Sequence, residues 1–344
     1  MTRATLRDVA AQAGVSHQTV SNVLNDHPSI RPATRVKVLT AIEALDYHPN
    51  VAAKALRESR VTTLCCAFYE HSADDITDPY RNLVQSAFIA EAMANGYSIT
   101  TAFLHGAQPE SFAALRRTFL GKQFGGVVIV GTTLKSEQLE EFTRWEMPTV
   151  LFDHTDPAGS MSSVSGQYES GMAQLVAHHV SRGRRRLTLI LPPDDQGSTA
   201  VLRRRGFLEA AASHGVSAQM TDGDWSSESG EAAFYRLWQS AQRPDAVLCG
   251  NDRMAAGALL AARTLGLDVP GDVAISGFDD FEFARYTAPS LTTVHVPHGE
   301  MARRAVRLLL KNLDPASDAD REGTGKTVPV SVQVPVRLIV RESA

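Results

Sequence analysis

Residues 5–25 read TLRDVAAQAGVSHQTVSNVLN and decide the fold of the first part of the chain. The apolar side chains at positions 6, 9, 10 and 13 have the i, i+3, i+4, i+7 spacing of one helix face. Thr5 precedes this run as an N-cap, with Asp8 at the reciprocal position of a capping box. Gly14 follows as a helix stop that can adopt positive φ. The spacing therefore predicts a short helix that ends in a glycine turn.

A second helix and a third helix are predicted after this turn. Ser16 caps the second, whose residues Val20, Val23 and Leu24 face inward, and Pro32 suits the first position of the third. Two short helices around a glycine turn form a helix-turn-helix unit, whose second helix enters the major groove of DNA through its N-terminal residues. A small helical bundle with a merely solvated polar face is the alternative interpretation of the same spacing.

Polar side chains lie where the second helix would meet DNA. His17 and Gln18 follow the cap, Asn22 lies one turn further on, and all three can bond base edges. The shorter hydroxyl and amide side chains nearby suit phosphate oxygens. These are Ser16, Thr19, Ser21 and Asn25.

The charge of the chain is unevenly distributed. The 344 residues carry a net charge of -4, yet residues 1–60 hold eight Lys and Arg against five acids, a net charge of +3. A basic head on an acidic body indicates that the head meets phosphate. The chain has no apolar N-terminal signal and no run of about 18 apolar residues. Its three cysteines cannot form a disulfide framework, so we expect a cytoplasmic, nucleoid-associated protein.

The run DVAAQAGVSHQTVSNVLN, followed by TRVKVLTAIEALDYHPNVAAKAL, resembles the DNA-binding head of the lactose-repressor (LacI/GalR) family of bacterial transcription regulators. The resemblance implies that His17 and Gln18 are the main base readers and that Tyr47 and Asn50 contact the DNA backbone. It also implies a hinge helix at Asn50–Arg57, with Leu56 wedged into the minor groove. The predicted DNA contacts are Thr5, Ser16, His17, Gln18, Thr19, Ser21, Asn22, Asn25, Tyr47, Asn50, Ala53, Lys54, Leu56 and Arg57.

Beyond residue 60, apolar strand-like runs alternate with helical runs. Helices are predicted near residues 80–95, 110–121 and 206–214, between runs such as GGVVIVG (125–131) and DVAISGFDD (272–280). Alternation of this kind predicts doubly wound parallel sheets, which bind ligands beyond the carboxyl ends of their strands.

The polar and aromatic residues at those strand ends are the predicted effector site. Carboxylates, an amide and an arginine can hold vicinal hydroxyls, and an indole can cover a sugar ring. Three of the residues, Asp153, Asn251 and Asp279, follow strands directly, and Arg203 is expected in a loop. The alternative is that strand-end acids simply cap the next helix.

The family resemblance extends over this body, through GLDVPGDVAISGFDD, APSLTTV and the terminal PVRLIVRES. It implies a core similar to periplasmic sugar-binding proteins. Residues 164–168, VSGQY, depart from the family's usual pattern, and Val296 replaces a Gln that some members carry. On the effector-contact positions, the chain places Asp78, Tyr80, Asp153, Arg203, Trp225, Asn251 and Asp279.

The predicted fold is an all-α helix-turn-helix head, followed by an α/β periplasmic-binding-protein-like core of two doubly wound parallel-sheet subdomains. The head spans residues 1–49, the hinge 50–60 and the core 61–344. The boundaries predicted within the core are about 61–163 and 293–322 for the N-subdomain, and about 164–292 and 323–344 for the C-subdomain.

The predicted function is sequence-specific transcriptional regulation by a repressor of carbohydrate-utilisation genes. Its expected partners are palindromic operator DNA, a small sugar-like effector and a second copy of the chain, with no cofactor, metal or membrane. The alternative is a co-repressor-dependent regulator that senses a nucleoside, a purine or a phosphorylated metabolite. A transport sugar-binding protein would leave the first 60 residues unexplained, and an enzyme lacks a Walker loop, a GxSxG elbow or an HExxH motif.

Overall fold

The computed structural model describes residues 4–24, 27–47, 61–70, 77–131, 134–154, 156, 158–193, 199–313 and 328–344. The chain divides into two compact units, Met1–Val61 and Thr62–Ala344. Within the described ranges, no helix is long and apolar enough to cross a membrane.

The described residues of the first unit form three helices, α1 (Leu6–Ala13), α2 (His17–Leu24) and α3 (Pro32–Ala44). The predicted capping box is confirmed, because the Asp8 carboxylate accepts from the Thr5 backbone N–H at 2.7 Å and the Thr5 hydroxyl accepts from the Asp8 N–H at 3.4 Å. Gly14 ends α1 with φ at 64°, a left-handed conformation that costs glycine little. The apolar faces of the three helices form the core of this unit, which contains Val9, Ala10, Val20, Val23, Val38, Ala41 and Tyr47.

The second unit alternates strands and helices along the chain. Its strands are β1 (Thr63–Tyr69), β2 (Ser98–Leu104), β3 (Val127–Val130), β4 (Thr149–Phe152), β5 (Ser162–Gly166), β6 (Arg186–Leu191), β7 (Ser217–Asp222), β8 (Ala246–Cys249), β9 (Ala274–Ser276), β10 (Thr293–His295), β11 (Ser331–Val334) and β12 (Arg337–Ile339). Its helices are α4 (Pro79–Ala94), α5 (Pro109–Leu120), α6 (Ser136–Arg144), α7 (Tyr168–Ser181), α8 (Thr199–Ser213), α9 (Ser227–Gln239), α10 (Asp252–Thr264) and α11 (His298–Leu313).

The strands in the described ranges form two parallel sheets and one antiparallel pair. The first sheet has the order β11-β5-β4-β3-β1-β2, and the second has the order β7-β6-β8-β9. Strands such as β3, VVIV, are buried at every position because helices cover both faces of a parallel sheet. The pair β10-β12 lies outside both sheets. This arrangement is the predicted two-subdomain α/β core.

Two details differ from the sequence prediction. Residues 323–344 were assigned to the C-subdomain, but β11 pairs with β5 from Ser331↔Ser163 to Val334↔Gly166, and both strands belong to the first sheet. Because β5 and β11 pair within the first sheet, the chain passes into the C-subdomain only after each of these strands has ended.

Arg203 lies in helix α8 rather than in a loop, because the helix begins at Thr199 and not near residue 206. Alanine, leucine and arginine are strong helix formers, which extends α8 through this stretch.

Candidate functional site

The polar end of α2 is exposed on the first unit. His17 and Gln18 are exposed, whereas Val20 and Val23 are buried on the opposite face. The Gln18 side-chain amide donates to Asn22 Oδ1 at 3.1 Å, which joins two of the three predicted base readers. The geometry thus presents a connected polar surface at the N-terminal end of the helix.

Other predicted DNA-contact residues make hydrogen bonds or packing contacts within the head itself. The Ser16 hydroxyl accepts from the Thr19 N–H at 3.1 Å and so caps α2 as predicted. Thr5 belongs to the capping box of α1, and the Tyr47 side chain lies in the head core with 9% of the residue exposed. Ser21 is partly buried on α2. The predicted contacts outside the described residues are Asn25, Asn50, Ala53, Lys54, Leu56 and Arg57.

Asp153 is the centre of the site in the second unit. It follows β4, is 2% exposed, and accepts from the Tyr80 hydroxyl at 2.6 Å and from the Tyr168 hydroxyl at a shorter distance. Burial raises the pKa of Asp153, while the neighbouring His298 opposes that shift. Burial also raises the pKa of Tyr80 and Tyr168 well above the usual value, so both hydroxyls remain donors at neutral pH.

Arg203 brings a positive charge into the same site from α8. Its Nη1 donates to Thr199 Oγ1 at 2.6 Å, and its Nη2 donates to Asp279 Oδ1 at 3.2 Å. The guanidinium carbon lies 4.3 Å from the ring centre of Tyr168, 4.6 Å from that of Phe278 and 5.3 Å from that of Trp225. The carboxylate and the aromatic faces compensate the loss of water around the buried guanidinium.

His298 joins the residues at the ends of the two sheets. Its Nε2 lies 3.3 Å from Asp279 Oδ1, and its Nδ1 lies 3.8 Å from Asp153 Oδ2. The imidazole is edge-on to the Tyr80 ring, with the ring centres 5.1 Å apart. Asp153 follows a strand of the first sheet and Asp279 follows a strand of the second, so the site lies between the two subdomains.

Sequence reasoning missed Tyr168 and His298. Tyr168 ends the stretch VSGQY, whose only signal was its departure from the family pattern, and His298 follows TTVHVP at the next chain crossing. Both residues begin a helix directly after the chain crosses between the subdomains. This position in the sequence is the signal by which they could have been predicted as site residues. A polar or aromatic side chain at such a position faces the space between the sheets.

Asp78 and Asn251 serve as helix caps. The Asp78 carboxylate accepts from the Tyr80 N–H at 3.0 Å at the start of α4. Asn251 Oδ1 accepts from the Met254 N–H at 2.8 Å at the start of α10, while its Nδ2 donates to the Trp225 carbonyl at 3.0 Å. The capping interpretation therefore holds for these two residues, and Asn251 also fixes the segment that carries the indole.

Comparisons with known proteins agree with this architecture. Residues 5–50 match the model for bacterial regulatory proteins of the lacI family, and residues 176–344 match a periplasmic binding protein-like domain. The HTH-type transcriptional repressor PurR of Erwinia tasmaniensis is 31% identical over 319 residues, which cover 90% of each chain. Catabolite control protein A of Priestia megaterium is 28% identical over 353 residues, which cover 98% of each chain.

Solved structures show the same likeness over the whole chain. The lac repressor dimer bound to operator and the anti-inducer ONPF has a TM-score of 0.86 and 26% identity, with 99% of each chain covered. The complex of the transcriptional regulator CelR with cellobiose has a TM-score of 0.73 and 28% identity, with 99% of this chain and 100% of that chain covered.

A helix-turn-helix head together with a periplasmic-binding-like core defines a DNA-binding transcriptional regulator rather than an enzyme. The chain belongs to the lacI family of bacterial regulatory proteins.

Proposed function

We propose that this regulator is a repressor of carbohydrate-utilisation genes and that a small, neutral, sugar-like effector controls its operator affinity. The observation that carries the proposal is the buried Asp153–His298–Asp279–Arg203 chain of polar contacts between the two subdomains. A ligand held there contacts both sheets at once. It therefore shifts the relative population of subdomain arrangements, and operator affinity changes reciprocally.

The chemistry of the site supports a neutral polyol. Two carboxylates and one guanidinium offer paired acceptors and donors to vicinal hydroxyls, and Trp225 offers an indole face beside Arg203. Asp279 already accepts a hydrogen bond from the Arg203 guanidinium. A phosphorylated co-repressor would have to compete with that carboxylate for the same cation, which disfavours the phosphorylated form of the alternative.

The DNA-binding proposal assigns direct base contacts to His17, Gln18 and Asn22. The exposure of His17 and Gln18 at the start of α2 and the bond between Gln18 and Asn22 support it, because bonded amides are oriented before they reach a base edge. Phosphate contacts are proposed for Ser16, Thr19 and Ser21. Effector contacts are proposed for the seven residues predicted from the sequence, with Tyr168 and His298 added.

Two copies of the chain are proposed to bind one palindromic operator in the cytoplasm. A two-fold dimer presents two copies of α2 to half-sites related by the same symmetry. The lac repressor structure, which contains a dimer on its operator, supports this assembly by similarity.

The test is a ligand screen with the full chain. Thermal unfolding is followed in the presence of monosaccharides, disaccharides, sugar phosphates and nucleosides, because a ligand of the folded state raises the melting temperature. We expect a neutral sugar to stabilise the wild type but not an Asp279→Ala variant. The matched control is Asp222→Ala, which removes an exposed acid at the end of β7 and should respond as the wild type does.

A hit is then added to an operator titration, where the proposal expects weaker DNA binding. A screen in which only nucleosides or sugar phosphates stabilise the chain would contradict the sugar-like effector. A sugar that strengthens operator binding would contradict induction.

A further inference from the structure

A second cleft lies in the C-subdomain, away from the site between the sheets. It has a volume of about 580 Å³ and opens where β6 and β7 begin. The predicted effector residues Asn251 and Asp279 follow the carboxyl ends of β8 and β9, so the two sites lie at opposite ends of one sheet. The cleft is lined mainly by Arg186, Thr188, Ser217, Gln219, Gln242 and Arg243.

The two arginines are fixed by the main chain through their Nε atoms. Arg186 Nε donates to the carbonyl of Arg243 at 2.9 Å, and Arg243 Nε donates to the carbonyl of Trp238 at 2.8 Å. The Arg243 guanidinium carbon also lies 5.0 Å from the Trp238 ring centre. These contacts hold both side chains in place while their Nη atoms remain available, which lowers the ordering cost of binding an anion.

The neighbouring acid, Asp245, does not neutralise the two arginines. Asp245 Oδ2 lies 3.9 Å from Arg186 Nη2, beyond hydrogen-bonding distance. The same carboxylate accepts from the backbone N–H groups of Arg185 at 3.0 Å and of Arg186 at 2.9 Å. The described residues that line the cleft include two arginines and no acid, so the cleft keeps an excess positive charge.

Neutral polar groups complete the lining. The Gln219 Nε2 donates to Gln242 Oε1 at 3.1 Å, and Ser217 is exposed at the start of β7. Leu187 and Pro244, which are buried, also line the cleft. Two guanidinium groups beside amides and a hydroxyl match an oxyanion that carries further polar groups. The volume lies within the range of small-molecule sites.

We propose that this cleft binds a small organic metabolite through a phosphate or carboxylate group. The anionic group bonds Arg186 and Arg243, and the polar remainder contacts Ser217, Gln219 and Gln242. The site shares no residue with the effector site, so the proposal stands independently of the sugar-like effector.

The test uses the full chain, with glucose 6-phosphate, inorganic phosphate, succinate and glucose as probes at constant ionic strength. Binding is measured by calorimetry and by tryptophan emission, since Trp238 lies beneath Arg243. We expect saturable binding of at least one anion in about the millimolar range or tighter. Succinate alone would identify a carboxylate site and the phosphates alone a phosphate site. Trp238→Phe should remove the emission change that the anion produces, and glucose should produce no change that Trp238→Phe removes.

Substitutions of the two arginines test whether the anion binds in this cleft. Arg186→Gln and Arg243→Gln should each weaken anion binding about tenfold, and the double variant should lose it. Arg117→Gln removes an exposed arginine of α5 and should leave the affinity unchanged. The proposal is overturned if none of the three anions binds saturably, or if the double variant binds them as tightly as the wild type.

Discussion

Asp279 combines a buried charge pair with a strained backbone, and these two features predict an unusual order of variant stabilities. Its φ is 112°, a value that residues with a Cβ rarely adopt. The strand β10 holds this conformation, because the Asp279 N–H donates to the Val294 carbonyl at 2.8 Å and its carbonyl accepts from the Val296 N–H at 3.4 Å. Replacement by alanine keeps the strain, whereas replacement by glycine relieves it.

The magnitudes follow from the contacts. Both variants remove the carboxylate that pairs with Arg203, whose side chain is 5% exposed, and the loss of one partner of a buried pair costs about 3–5 kcal/mol. The aromatic rings around the guanidinium place the expected loss near 3 kcal/mol. Relief of strain returns about 1–3 kcal/mol in the glycine variant, against about 0.5–1 kcal/mol of extra chain entropy. Asp279→Gly should therefore be about 1 kcal/mol more stable than Asp279→Ala.

Calorimetric or fluorescence-detected melting of both variants measures this order. In a unit of this size 1 kcal/mol corresponds to about 2 °C, so the alanine variant should melt about 6 °C below the wild type. The glycine variant should melt about 2 °C above the alanine variant. Both should retain operator binding. A glycine variant that melts at or below the alanine variant would refute the argument from strain.

Further predictions concern a buried histidine and a close helix contact. Burial lowers the pKa of His179 to about 3 from an unfolded value of 6.5, so stability is complete above pH 6.5 and falls as the pH drops below it. Urea unfolding should show a loss of about 2 kcal/mol between pH 7.5 and pH 5 that His179→Gln lacks; an equal loss in that variant would contradict the assignment. Gly257→Ala would place a Cβ 1.9 Å from the Ser227 carbonyl oxygen and should cost about 3 kcal/mol by chemical unfolding. Gly299→Ala places its Cβ 3.6 Å from Arg303 Nη1, an ordinary van der Waals contact, and is the control, with no loss expected; equal effects would contradict the steric argument.

The head was predictable because its signals are local. The capping box of Thr5 and Asp8 and the stop at Gly14 act within a few residues of the helix they bound. Buried strands were also visible, since a strand covered on both faces reads as a continuous apolar run. The start of α8 was missed because the predicted helix was placed from Gly206 onward, whereas strong helix formers continue it back to Thr199.

The candidate site was only partly visible, because its contacts are long-range. Tyr80 and Asp153 are separated by 73 positions, and their hydrogen bond depends on helix α4 packing beside the end of strand β4, where Phe88 contacts Phe152. His298 enters the site only because the chain crosses between subdomains for a second time. Asp78 and Asn251 show the opposite case, because each caps the next helix through bonds to backbone N–H groups two or three positions further along the chain.

The central claim is that the exposed end of α2 reads a palindromic operator. The most direct measurement selects duplexes from randomised DNA with the full chain, and then compares the base preference of the wild type, Gln18→Ala and the control Gln12→Ala, an exposed glutamine of α1. The account predicts an enriched palindrome at which Gln18→Ala loses about 1–3 kcal/mol of discrimination at one base pair of each half-site, while the control matches the wild type. Selection without any enriched sequence, or an unchanged base preference in Gln18→Ala, would contradict it.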